Sequence, residues 1–199
     1  MPNGKETNNK SMIINPPNFY WIQEEIPTEI YTYLLSQIAK AKFDHKHQLA
    51  GHISKSLVLP DEEKIFTRYL LNKSQNLEWA QVTGNHVDLW VNFQKKHEYN
   101  PSHAHNGQVS FVLWMKIPYK QEDEKKTEIA TGISPNTPCL NGSFEITYVN
   151  LLGSLSRYGY HLDQNMEGLM VMFPANTQHC VYPFYTSDDE RISISGNLF

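Results

Sequence analysis

The chain has 199 residues, 40% hydrophobic and 12% aromatic, which is enough for one sizeable core with a short extension. Against 21 Asp and Glu stand 17 Lys and Arg, a formal charge of -4 with no long basic run, which argues against nucleic acid or an anionic membrane as a partner. Cys139 and Cys180 form no CxxC and are too few for a disulfide scaffold; they read as free thiols of a reducing, cytoplasmic compartment. The opening MPNGKETNNKS has no apolar stretch of the kind a secretory signal needs, and no apolar run approaches the ~20 residues of a membrane span.

Taken in order, residues 1–17 are rich in Asn, Lys and Pro and predict a loose tail, leaving 18–199 as a single domain. Phe19-Tyr20-Trp21-Ile22 reads as a short edge strand. Ile26-Pro27-Thr28-Glu29 starts a helix, with Pro early in the first turn and Glu at the positive end of the dipole. Ile30, Leu34 and Ile38, with Tyr31 and Leu35, carry its apolar stripe to about Ala41. His45-Lys46-His47 sits in polar company within a segment, 43–60, that reads as a solvated loop also holding His52. Pro60-Asp61-Glu62-Glu63 predicts a second helix with Asp61 as its N-cap and Ile65, Phe66, Tyr69, Leu70 and Leu77 on its buried face. A turn at Thr83-Gly84-Asn85 closes a helical N-terminal half of about 27–82.

From Val87 the period changes to two. Val87, Leu89, Val91 and Phe93 alternate with Asp88, Trp90, Asn92 and Gln94, which predicts a half-buried strand. Further strands are predicted at 109–117, 143–149, 168–173, 180–182 and 191–195, while the charged run 120–131 reads as an exposed loop or hairpin tip. Arg157 and Tyr158-Gly159-Tyr160 read as a loop able to line an entrance. Helices followed by many strands predict a mainly β fold with flanking helices, a barrel or sandwich over about 87–199.

The chemistry concentrates in Asn100-Pro101-Ser102-His103-Ala104-His105-Asn106-Gly107. Two imidazoles two residues apart leave one face of an extended strand, beside a turn-forming Asn-Gly. That pattern suits a metal site, and His179, which opens a strand after the Pro174 turn, is the candidate third ligand. Arg191, Ser193 and Ser195 share one strand face; an arginine inside a barrel is costly unless it meets an anion, and a small dicarboxylate fits its fork. Taken singly, His86, His97 and His161 read as hydrogen-bonding or surface residues. Trp90, Trp114 and Tyr148 read as core or barrel lining, and Cys180 alternates away from His179 as a buried thiol.

These parts, over roughly 77–199, resemble the Fe(II)- and 2-oxoglutarate-dependent oxygenases, specifically the prolyl-4-hydroxylase-like branch and its phage-encoded members. The carrying residues are His103-Ala104-His105 with the strand after it, Gly168-Leu169-Met170-Val171-Met172-Phe173-Pro174, His179, and Arg191-Ile192-Ser193. The resemblance implies a double-stranded β-helix, the jelly-roll barrel also found in cupins, with Fe(II) at its mouth and 2-oxoglutarate chelating the iron. It implies pairing of the far carboxylate of 2-oxoglutarate with Arg191 and Ser193, and contacts from Asn92 and Tyr99. The implied reaction takes dioxygen and a substrate the sequence does not identify, and returns a hydroxylated product, succinate and carbon dioxide.

The family pattern is His-x-Asp/Glu…His, and His105 stands where the carboxylate belongs. Three ligand sets are therefore open. One is His103, His105 and His179. Another joins two of these histidines to a carboxylate such as Glu98 or Glu145. In the last, a shifted register makes His105-Asn106-Gly107 the motif and leaves one ligand position vacant, as in the related halogenases. Rival functions are a cupin-type metalloprotein without 2-oxoglutarate, suggested by Pro174-Ala175-Asn176-Thr177-Gln178-His179, and a non-catalytic β-sandwich binding module.

Overall fold

The computed structural model describes residues 20–48, 51–84, 86–134 and 136–199; the expected tail (1–17), Phe19 of the expected edge strand and Asn85 of the expected turn lie outside them. In chain order the elements are β1 (Ile22–Glu25), α1 (Thr28–Lys40), β2 (Lys55–Val58), α2 (Ile65–Ser74), β3 (Val87–Gln94), β4 (Asn100–His103) and β5 (Val109–Lys116). There follow α3 (Gln121–Glu124), α4 (Glu128–Thr131), β6 (Phe144–Val149), β7 (Leu155–Tyr160), β8 (Leu169–Pro174), β9 (Gln178–Val181) and β10 (Arg191–Leu198).

The strands form two antiparallel sheets, a major one in the order β1-β8-β5-β10-β3-β2 and a minor one in the order β4-β9-β6-β7. Sequence neighbours are rarely sheet neighbours, which is the winding of a double-stranded β-helix. The major sheet is covered on both sides. Helices α1 and α2 press Leu34, Phe66 and Leu70 onto a face carrying Val91, Phe111, Leu113 and Met172. Between the sheets Trp114, Phe144, Ile146, Phe173 and Phe184 form a second core. This double cover is why β5 reads as a nearly unbroken apolar run, and every residue but its last is buried.

Several expectations change. β3 is not half-buried: helices cover one face and a pocket lies against the other, so its polar residues Asn92 and Gln94 are buried as well. The edge strand begins at Ile22. β2 falls inside the segment read as a loop and pairs with β3, and the residues read as an entrance loop form β7, paired with β6. The charged run 120–131 folds into α3 and α4, held by Glu124, which is fully buried and accepts the backbone N–H groups of Tyr185 and Thr186 and the Thr186 hydroxyl. That anchor lies some 60 positions away, outside any local pattern. Lys64, not Asp61, occupies the N-cap of α2, at a left-handed φ of 55°. Asp61 caps from further upstream, accepting from Phe66 N at 3.3 Å and Thr67 N at 2.7 Å. Among the described residues no helix is long and apolar enough to cross a membrane.

Candidate active site

β4 and β9 lie side by side in the minor sheet with His103 opposite His179, so both imidazoles leave the same inner face. Two residues on, the backbone N–H of His105 donates to the Ala175 carbonyl at 2.8 Å, which ties the second histidine to the turn ahead of β9. The ring centroids are 4.9 Å apart for His103 and His105, 4.3 Å for His103 and His179, and 5.1 Å for His105 and His179. One nitrogen from each lies within 4.8 Å of the others.

Nδ1 of His103 lies 2.7 Å from the Pro101 carbonyl and Nδ1 of His179 lies 2.9 Å from the Thr177 carbonyl. A carbonyl only accepts, so both Nδ1 atoms carry the proton and both Nε2 atoms keep a free lone pair. Burial pushes His179 down to about 3, helped by the nearby His103 and His105, and pushes His105 down to about 4, helped by His103. His103 is lowered too, mainly by burial. At neutral pH the cluster is three neutral imidazoles, the protonation state that ligates a cation.

The pocket runs from these histidines to Arg191, the first residue of β10, which lies opposite Gln94 of β3 and is 2% exposed. Its Nε and one Nη2 hydrogen go to Gln94 Oε1 at 3.2 and 2.5 Å. Nη1 donates to the Tyr119 hydroxyl at 2.5 Å and the Gly142 carbonyl at 2.8 Å, and Nη2 donates again to the Tyr182 carbonyl at 3.3 Å. All five donors meet neutral acceptors, so the guanidinium keeps its full charge inside the barrel. Ser193 and Asn92, paired across β10 and β3, line the same pocket. The side-chain oxygens of Asn92 and Asn100, both facing this pocket, are buried without a hydrogen-bond partner. Trp90 forms a wall, its ring 5.6 Å from His105 and stacked at 5.0 Å on His45.

The structure thus brings together His103, His105, His179, Arg191, Ser193 and Asn92 and leaves Tyr99 outside. Tyr99 precedes β4, is absent from the lining of this pocket, is exposed, and stacks on His52 at 4.8 Å. Neither candidate carboxylate reaches the histidines. Glu98 accepts from the backbone of Ser54 and Lys95, while Glu145 faces outward from the minor sheet, 3.3 Å from the Tyr182 hydroxyl and 3.8 Å from Arg157. Gly107 is accounted for by the backbone: its φ is 105° and a Cβ there would lie 2.8 Å from the Leu198 carbonyl. Arg157 follows Glu145 to the outer face, and Tyr158 packs on Trp21 instead of lining an entrance.

Sequence reasoning missed Asn100, Gln94 and Tyr119. Gln94 shares a strand face with Asn92 and Trp90, a signal that was available; Tyr119 and the Gly142 carbonyl converge on Arg191 only through the fold. His45, read as solvated, packs instead on the pocket wall.

Residues 88–197, more than half of the chain, match the family described as "Putative 2OG-Fe(II) oxygenase". A comparison with curated protein sequences finds no significant match. Among solved structures the fold is similar to a prolyl-4-hydroxylase from Pseudomonas putida, at 13% identity and a TM-score of 0.51, over 89% of this chain and 91% of that one. It is similar as well to HygX from Streptomyces hygroscopicus, solved with nickel, 2-oxoglutarate and hygromycin B, at 11% identity and a TM-score of 0.51, over 89% of this chain and 82% of that one. The double-stranded β-helix is therefore this chain's fold, and by the family match the chain belongs to the 2OG-Fe(II) oxygenases, dioxygenases that use Fe(II) and 2-oxoglutarate.

Proposed function

We propose that His103, His105 and His179 hold the Fe(II), and that Arg191, Ser193 and Asn92 receive 2-oxoglutarate. The observation that carries this is the donor set itself: three neutral imidazoles converge, two with their tautomer fixed by backbone carbonyls, and no carboxylate competes among the described residues near them. The residues fit the metal. Imidazole nitrogen suits iron, and three ligands on one side leave positions for a chelating co-substrate and dioxygen. One nitrogen from each ring lies within 4.8 Å of the others, close enough for the three side chains to share one ion.

When bound, Fe(II) with 2-oxoglutarate supplies the oxidative decarboxylation to succinate and carbon dioxide that drives hydroxylation of the substrate. Arg191 offers the far carboxylate charge-assisted bonds, which are about twice as strong as those it makes to neutral acceptors. The Gln94 side chain, which accepts two of the arginine's hydrogens, can rotate aside. The Asn92 amide and Ser193 hydroxyl orient the co-substrate along the pocket. Trp114, Phe144 and Phe173 close the inner wall and keep bulk water from the reacting centre.

Residues 18–199 act as one catalytic unit in this reading, since β1 and β2 complete the sheet that carries Arg191. Two free thiols and the acidic balance support a reducing, cytoplasmic setting and a substrate other than nucleic acid. The test is metal content and succinate release, with iron(II) and 2-oxoglutarate in air, for wild type, His179→Ala and Arg191→Ala. The expected result is metal and succinate in wild type, neither in His179→Ala, and metal without succinate in Arg191→Ala. Metal-free wild type overturns the site. Metal with succinate untouched by Arg191→Ala overturns the arginine's role, and metal without succinate in wild type leaves the cupin-type reading.

A further inference from the structure

Among the described residues three carboxylates are buried: Asp61 at 7% exposed, Glu124 at 0% and Glu145 at 6%. A carboxylate taken out of water needs short charge-assisted bonds or a cation. Glu124 has four contacts between 2.6 and 3.0 Å, to the backbone of Tyr185 and Thr186 and the Thr186 hydroxyl. Asp61 accepts from Thr67 N and the Tyr33 hydroxyl, both at 2.7 Å. Glu145 has no partner so close. The Tyr182 hydroxyl lies 3.3 Å from its Oε1, where a hydroxyl on a carboxylate ordinarily sits at about 2.5–2.7 Å. The Cys180 thiol lies at 3.9 Å and Arg157 Nε at 3.8 Å. All three approach the same oxygen, and Oε2 has no donor among the described residues.

The carboxylate opens on a cleft. Glu145 pairs with Cys180 of β9 on one side and with Gly159 of β7 on the other, so its β7 neighbour sets no side chain over it. With Tyr99, Pro101, Cys180, Tyr182 and Arg157 it lines a space of about 310 Å³, the low end of small-molecule sites. The three histidines leave the inner face of this sheet and the cleft lies on its outer face, so the two sites stand back to back.

The charges in the cleft select the ligand. Glu145 is deep, its side chain 7% exposed, and Arg157 is at the rim, its side chain 69% exposed. A cation alone would suit Glu145 and be repelled by Arg157; an anion alone would meet the reverse. One carboxylate with no second acid among the lining residues does not suit Ca²⁺ or Mg²⁺. A molecule with an ammonium and a carboxylate on one carbon satisfies both charges.

We propose that this cleft binds a small zwitterion of the α-amino-acid type, its ammonium on Glu145, its carboxylate on Arg157 and its side chain against Tyr99 and Pro101. The exposed arginine swings outward to admit it. The site does not rest on the metal assignment and holds or fails apart from it.

The test is calorimetric titration of the full chain with L-norleucine, with pentylammonium, which lacks its carboxylate, and with hexanoate, which lacks its ammonium. Norleucine is expected to bind tightest. Hexanoate and Glu145→Gln should each cost at least ~10-fold in affinity, the loss of a buried charged hydrogen bond. Pentylammonium and Arg157→Gln should each cost about fivefold, as for an exposed ion pair. Saturating 2-oxoglutarate should leave norleucine binding unchanged. No binding at roughly 10 mM norleucine, tenfold above the ~1 mM of a weak specific contact, overturns the proposal. Pentylammonium as tight as norleucine overturns it too, since the cleft then takes a cation alone. So does competition by 2-oxoglutarate, which puts the ligand in the Arg191 pocket. If Glu145→Gln fails to fold, the exposed Arg157→Gln and the three probes on wild type still decide.

Discussion

The two ends of the pocket are built from opposite chemistry and held by opposite means. At one end His103 and His179 present bare Nε2 lone pairs, an accepting surface suited to a cation. At the other Arg191 presents donors alone, a surface suited to an anion. The histidines are oriented locally, each by the carbonyl two residues before it, Pro101 for His103 and Thr177 for His179. The arginine is oriented by groups as many as 97 positions away, at Gln94, Tyr119, Gly142 and Tyr182. A local device survives changes elsewhere in the barrel, whereas the arginine's setting depends on the whole of it. The two ends should therefore fail separately.

The largest break comes at the histidine end. His179→Ala removes the most buried of the three proposed ligands, and metal content should fall to background with succinate release at least ~100-fold down, beyond what loss of an outer supporting contact costs. His105→Asp restores the acid of the family pattern and should keep the metal. If it does not, the pocket is shaped for three imidazoles. At the arginine end Arg191→Met should raise the KM for 2-oxoglutarate about 100-fold, the equivalent of about 3 kcal/mol for a buried charge-assisted pair. Arg191→Lys, which keeps the charge and loses the fork, should cost about tenfold. Metal content, measured on the same samples, should not change in either; a loss of metal there would show that the ends are coupled.

A smaller effect sharpens the arginine's dependence on distant groups. Gln94→Leu leaves Nε–H and one Nη2–H of Arg191 without acceptors, and should destabilise the protein by about 2 kcal/mol, the cost of stranded buried donors. Saturating 2-oxoglutarate should recover much of that in a urea titration, because a carboxylate takes up the freed donors and stabilises the state that binds it. No recovery would place the co-substrate elsewhere.

The same contrast explains what the sequence made legible. His103, His105 and His179 were readable because strand alternation and a nearby turn fix which face an imidazole takes. Arg191 and Ser193 were readable as a pair two apart on a strand. The partners of Arg191 were not, since Tyr119 and Gly142 approach it only after the chain has wound between two sheets. Tyr99 was misplaced for a related reason: the register shifts between Asn100 and His103, and counting back along an assumed regular strand puts the wrong residue in the pocket. β2 and β7 escaped notice because their outward residues, Lys55 and Arg157 among them, read as loop. Glu124 shows the limit most plainly, a fully buried carboxylate within a run whose composition looks entirely solvated.

The smallest effect belongs to a residue apart from both ends. Asp61 accepts from the Phe66 and Thr67 N–H groups at the start of α2 and from the Tyr33 hydroxyl at 2.7 Å. Burial alone would raise its carboxyl, but the hydrogen bonds from Thr67, Tyr33 and Phe66 outweigh it and hold the group below the usual carboxylate range. A carboxyl depressed on folding stabilises the protein above its unfolded value and gives that up as pH falls through the folded one. Asp61→Asn keeps an acceptor oxygen and loses the charge, and should cost about 1 kcal/mol at pH 7, the typical worth of a helix cap. The gap between wild type and variant, read from urea midpoints, should narrow as pH falls below about 4. A gap of constant width would mean that the charge is irrelevant and the oxygen alone matters. Metal content and the KM for 2-oxoglutarate should stay at wild-type values, because α2 packs on the face of the major sheet away from the pocket.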